Sequence, residues 1–385
     1  MKLKGRNNRE RFSTKIFAPL LCLFFAACDG NGGISGEGDC PPEIEEKERE
    51  RYLFALTTDY QSGSFSVVDT KKKRVWKNIG RVFNDAVARY NSGLIYIINR
   101  YGEDNIEVRD PNRCFEILAQ YSTGAGSNPQ DICFAADGKA FIPLYNETYL
   151  LSINPLDGEE FQRIDLSPFA DDDGLPEMSS CAFFGDKIIV ALQRLDRNTA
   201  LWQPSGKSLL AVIESESGSV ERTIELSATN PYPSLKVGKL AGDGETLWIG
   251  LAGMIPGGDD GGLERLEESA TAPSGLLITE EQLGGDIQGF EILNSDEGIA
   301  AVSDGEFNMR VVRFKISTSE VETLFSTEGY YIGGIALSGD GGLYVSDRRL
   351  NAPGVRAFSA KSGEEMWGCA LDVGVPPLEL LLYPR

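Results

Sequence analysis

A short pattern returns along this chain with a period near 48 residues, and it limits the fold more than any other feature. One copy is plain between 131 and 166. Apolar stretches at 131–135, 140–145, 150–154 and 160–166 are separated by turn residues, the first turn being Asp137-Gly138. Asp-Gly favours the positive φ angles of tight hairpins, so four such stretches read as a four-stranded antiparallel unit. The first-strand-and-turn signal recurs, with turns starting near 91, 136, 185, 242, 295 and 339, at gaps of 44 to 57 residues. Four short strands per unit at this spacing mark propeller blades rather than helical repeats. The chain ends supply fractions of a unit. Residues 52–57, 64–69 and 74–79 read as second, third and fourth strands with no first strand before them, and 377–383 reads as a lone first strand. Joining the fractions gives an all-β, seven-bladed β-propeller over residues 52–385, its ring closed by the C-terminal strand joining the N-terminal blade. Closure removes the unpaired edge that an open ring would expose. Two β-sandwiches would require neither the period nor complementary ends.

The first 51 residues lack the pattern. Residues 1–15 are basic, and 16–27 form an apolar run of 12 residues, too short to span a membrane. A basic start, a short apolar core and small residues before a cut site read as a signal peptide over 1–27. The run ends Phe25-Ala26-Ala27-Cys28, which resembles the bacterial lipobox, with Phe25 where that motif usually has Leu. The resemblance implies lipidation of Cys28. Residues 28–51 are Gly-rich, then Pro-Pro, then densely charged, and read as a flexible acidic tether.

The stretch IYIINRYGEDNIEVRD at 95–110 resembles the YVTN-type propeller repeat: an aromatic-rich strand, an Asn, a short loop, then a strand ending in Asp. LYVSD at 343–347 with VRAF at 355–358 is a weaker copy. The resemblance implies a ring of the YVTN or quinoprotein-like class. It implies little about chemistry, because one frame hosts binders, lyases, hydrolases and redox enzymes.

The chain contains no histidine. That excludes Ser-His-Asp and Cys-His catalysis and His-ligated zinc or haem. The formal charge of −21 repels nucleic acid and anionic lipid. In a propeller, the loops joining second to third strands and successive blades share one face around the channel mouth, and here those loops are the long ones. Arg, Tyr and Trp are the usual anchors of recognition. The expected binding residues are therefore Arg100, Tyr101, Arg194, Arg197, Trp202, Tyr330, Tyr331, Arg348 and Arg349. The longest loop, 254–274, contains an acidic stretch at 263–269 with helical spacing.

No cofactor is expected. Calcium is the one ion the acidic loops admit, at 171–174 or 259–260, although neither has the alternating spacing of an EF-hand loop. A second reading is a calcium-type hydrolase or lyase at the channel mouth, as in lactonase-like propellers, with Asp304, Asp347 and Asn99 as ligands. Cys133 and Cys181 lie 48 residues apart, one blade period, and are read as buried thiols or a cross-blade disulfide. Cys40 is expected to reach Cys114 or Cys369, leaving one thiol free. The leading expectation is a monomeric, non-enzymatic, lipid-anchored module of the bacterial envelope, at the periplasmic side or cell surface. It would bind a protein or polymer and touch the membrane through its anchor alone.

Overall fold

The computed structural model describes residues 40–43, 50–199, 201–239 and 245–383. The expected signal peptide, Cys28 and most of the tether lie outside them. The chain is a seven-bladed β-propeller, built from sheets that each contain three or four antiparallel strands. Blade 1 takes strands from both ends of the chain: Pro377–Tyr383 innermost, then Tyr52–Thr58, Gly63–Asp69 and Arg74–Val82. Tyr52 pairs with Tyr383 and Leu56 with Glu379, and Thr58 N–H donates to Pro376 O at 2.9 Å where a bulge ends the ladder.

Blade 2 holds Ala86–Asn91, Leu94–Asn99, Asn105–Asp110 and Glu116–Ser122. Blade 3 holds Cys133–Phe134, Ala140–Ile142, Tyr149–Ile153 and Glu160–Asp165. Blade 4 holds Met178–Phe184, Lys187–Leu192, Leu209–Glu214 and Val220–Glu225, with a small extra hairpin of Leu195–Asp196 and Gln203–Pro204. Blade 5 holds Lys236–Lys239, Glu245–Leu251, Gly262–Glu267 and Ile278–Thr279, and blade 6 Asp286–Ile292, Glu297–Ser303, Met309–Lys315 and Glu320–Thr327.

Blade 7 has three strands, Ile332–Leu337, Gly342–Asp347 and Gly354–Ser359, instead of the four that the repeat predicts. In the fourth place, Glu365 and Leu371 make single bridges to Phe358 and Val355. Gly363, Gly368 and Gly374 hold positive φ there, which interrupts an extended strand.

The core lies between blades. Second strands are covered on both faces by neighbouring blades, so all seven residues of Tyr52–Thr58 are buried, whereas outermost strands such as Glu160–Asp165 face water. Between blades 1 and 2, Phe54 stacks on Phe65 with ring centres 4.7 Å apart, and Trp76, Ala88 and Ile97 complete the layer. This double burial explains one departure from expectation. The stretch at 263–269 is not helical: Gly262–Glu267 is the third strand of blade 5. Leu263 packs towards blade 6 and Leu266 towards blade 4, so opposite faces of one strand mimic a helical spacing.

Two disulfides between described residues fasten the ring. Cys133–Cys181 joins the innermost strands of blades 3 and 4, with Cα atoms 5.7 Å apart, and Cys40–Cys114 joins the segment before the propeller to blade 2 at 5.3 Å. Cys369 is disulfide-bonded as well, so none of the cysteines at 40, 114, 133, 181 and 369 carries the free thiol that an odd count implied. Replacing Cys133 and Cys181 together by Ser is expected to lower unfolding stability by about 3–4 kcal/mol, from the freed loop entropy of the unfolded chain. Urea denaturation of the double variant measures this, and reductant should then change its midpoint less than it changes that of the wild type.

Candidate functional site

The loops after each second strand and between blades surround a crater of about 1020 Å³ at the channel mouth, lined by residues from all seven blades. At its inner end stands Arg89, carried into the channel by the first strand of blade 2. Its Nε donates to Asp131 at 2.7 Å, its Nη1 to Glu379 at 2.9 Å and its Nη2 to Ser234 Oγ at 3.0 Å. Four blades thus meet on one guanidinium. Burial works against its charge, but Asp131 and Glu379 outweigh that and hold it protonated more firmly than an ordinary arginine. Glu379 Oε2 also accepts from Ala88 N–H at 2.7 Å, and Asp131 Oδ1 from Ile132 N–H at 2.9 Å.

Amides form the wall. Tyr145 Oη donates to Gln193 Oε1 at 2.8 Å, Gln193 Nε2 to Asn230 Oδ1 at 2.7 Å, and Asn230 Nδ2 to Gly253 O at 2.9 Å. Across the mouth, Tyr330 Oη donates to Gln288 Oε1 at 2.6 Å. The rim is apolar: Tyr60, Leu201, Trp202, Tyr232, Met254 and Tyr330 line the crater and remain 41–75% exposed. The hairpin at 195–204 places Trp202 parallel to Tyr145, with ring centres 6.3 Å apart, and the guanidinium of Arg197 lies 4.8 Å and 5.1 Å from the two rings.

A carboxylate cluster secures that hairpin. Asp171, Asp173 and Glu177 bring oxygens within 4.8 Å of one another. Those oxygens accept from the chain itself: Asp171 from Ser205 Oγ at 2.6 Å, Asp173 from Arg197 N–H at 3.0 Å, and Glu177 from Leu195 N–H at 3.1 Å and Arg197 Nε at 3.0 Å. Glu177 is fully buried. Burial, reinforced by Asp173, pushes its carboxyl up to about 8, against the pull of Arg197. A carboxyl raised above its unfolded value stabilises the fold below that value, and the contribution is lost as pH rises through about 8. Glu177→Gln is therefore expected to gain about 1–3 kcal/mol on the wild type between pH 5 and pH 8.5, read as the difference between their denaturation curves.

Of the expected binding residues, Arg100, Trp202, Tyr330 and Arg348 line the crater. The others stand elsewhere. Tyr101 and Tyr331 are outside the lining, and Arg194 turns to Lys207 O at 3.0 Å. Arg197 is a strut held by Glu177, Asn146 and Tyr145 O, and Arg349 pairs with Asp347. The expected metal ligands are likewise occupied. Asp347 is buried between Arg349 and Arg356, whose guanidinium groups outweigh its burial and keep its carboxyl below the ordinary range. Asp304 caps its own loop, accepting from Glu306 and Asn308 N–H at 2.9 Å, and Asn99 spends its amide on Phe83, Asn105 and Glu107. Each of these groups is partnered within the fold. Sequence reasoning missed Arg89, Tyr145, Gln193, Asn230, Gln288 and Glu379. Gln193 had a usable signal. Like Arg100 and Arg348, it directly follows a second strand, at the place where the repeat aims a side chain at the mouth.

No protein-family model matches the sequence, and no curated protein matches it. Among solved structures, the chain is similar to dihydro-heme d1 dehydrogenase NirN in complex with DHE, at 16% identity and a TM-score of 0.54, over 88% of this chain and 76% of that one. It is similar to a functionally unknown protein from Desulfotomaculum acetoxidans at 11% identity and 0.53, over 85% and 99%. It is similar to streptogramin B lyase at 12% and 0.50, over 81% and 96%. At these identities the likeness is one of fold alone.

Proposed function

We propose that this protein is an exported binding module, anchored to the bacterial envelope through Cys28, whose crater holds a segment of an envelope polymer. The observation that carries the reading is the convergence of Tyr60, Tyr145, Trp202, Tyr232 and Tyr330, from separate loops, on one concave surface walled by amides. Sugar rings present C–H faces that sit against the negative face of an aromatic ring, and amides match their hydroxyls in both donor and acceptor senses. Large concave sites with a few convergent polar groups are the usual form of ligand pockets. Export is supported by the disulfides Cys40–Cys114 and Cys133–Cys181, which suit an oxidising compartment. The YVTN-type assignment belongs to the same proposal, resting on the hairpin of Leu94–Asn99 with Asn105–Asp110. Asp304, Asp347 and Asn99, the ligands a calcium-type hydrolase would use, make hydrogen bonds or ion pairs within the fold, which favours the binding reading.

Crosslinking in intact host cells, followed by capture on the protein, tests the proposal. Wild type should retain an envelope glycan, and the Trp202→Ala, Tyr232→Ala double variant should retain at least tenfold less, as expected when anchors worth about 2 kcal/mol are removed. A glycan recovered equally by both, or a captured protein with no glycan, would overturn it.

A further inference from the structure

Arg348 differs from the other cations of the crater. Arg89 is balanced by Asp131 and Glu379, and Arg100 by Asp85. Among the described residues, Arg348 reaches uncharged partners: the carbonyl oxygens of Pro377 at 2.9 Å, Thr58 at 3.2 Å and Pro376 at 3.4 Å, and the hydroxyl of Tyr60, whose ring centre lies 4.8 Å from the guanidinium. Among the described residues no carboxylate pairs with it. Those bonds occupy at most four of its five N–H donors. It is 6% exposed and lines the crater between Tyr60 and Tyr330. A buried charge without a counter-ion is costly, and here burial pulls the guanidinium down against the opposing pull of the Tyr60 and Tyr330 hydroxyls. The chain as a whole carries −21. Its long-range field turns away polyanions, while a cation with no carboxylate partner among the described residues favours a single acidic group at close range.

Resting on the polymer-binding reading above, we infer that the crater selects a mainly neutral glycan bearing one isolated carboxylated sugar, whose carboxylate pairs with Arg348 while neighbouring rings stack on Tyr60 and Tyr330. A carboxylate oxygen supplies a charged acceptor for the guanidinium donor that remains.

The test uses the full-length protein on an array of oligosaccharides carrying a single glucuronic, galacturonic, muramic or sialic acid residue, each beside its carboxyl-reduced twin. The expected result is at least tenfold tighter binding of the carboxylated member of a bound pair, about 1.4 kcal/mol, with weak dependence on salt. Arg348→Gln should equalise the twins without abolishing binding of the reduced form. Because Arg348 also ties the ring seam, the comparison of twins on wild type decides the matter even if that variant is unstable. Equal binding of both twins, lost together in Trp202→Ala, would overturn the inference and leave the crater reading standing. Binding of neither would overturn both.

Discussion

Deleting Pro377–Tyr383 is expected to leave a chain that does not assemble the ring. This segment is the innermost strand of blade 1 and pairs with Tyr52–Thr58 along its length. It also buries Leu380, Leu382 and Tyr383, and through Glu379 it holds Arg89 in the channel. Removing one large buried side chain costs about 2–5 kcal/mol, and domains are stable by only about 5–15 kcal/mol, so losing three with their ladder exceeds the reserve. The deleted chain should show no cooperative thermal transition and should be digested by protease at concentrations that spare the wild type. Leu382→Asp, which places a charge where the leucine is 0% exposed, should approach the same state. A deletion variant that melts cooperatively near the wild-type temperature would show that the seam contributes little.

Arg89→Ala is the next largest expected effect. It strands Asp131, itself only 2% exposed, together with Glu379 in the channel without their shared cation. Breaking a buried pair by removing one partner costs about 3–5 kcal/mol because the remaining charge is left desolvated. Equilibrium denaturation should show that loss. The triple variant Arg89→Met, Asp131→Asn, Glu379→Gln should recover most of it, since no unpaired charge then remains. If the single variant loses less than about 1 kcal/mol, water reaches the carboxylates and the channel is wetter than its lining implies.

Much of the architecture was legible in the sequence because blade spacing and turn residues are local signals. The closing strand was legible because the two ends offered complementary fractions of one unit, and 377–383 does lie beside Tyr52–Thr58. The fourth place of blade 7 was not, because it is filled by single bridges in a glycine-interrupted segment. The crater was half legible. Residues directly after second strands face it, so Arg100 and Arg348 followed from the repeat. Arg89 and Glu379 did not, because they lie within first strands, where a charged residue in an otherwise strand-like run gives no sign of pointing into a channel. Nor did the partners of Asp347 and Arg197, which are set by side-chain packing between loops. Spacing alone could not distinguish a carboxylate awaiting a metal from one already claimed by an arginine.

The Cys40–Cys114 bridge has a mechanical consequence. The chain enters the propeller at Tyr52, the second strand of the blade that holds the seam, where a pull on the preceding segment would load the seam directly. With the bridge intact, tension arriving from ahead of Cys40 crosses the sulfur atoms and enters the fold at Cys114, beside the short turn Pro111–Arg113 at the outer side of blade 2. Residues 41–113, including the strand Tyr52–Thr58 at the seam, lie within the loop that the bond closes, so the covalent path bypasses them. Reducing this one bond would transfer the strain to the seam.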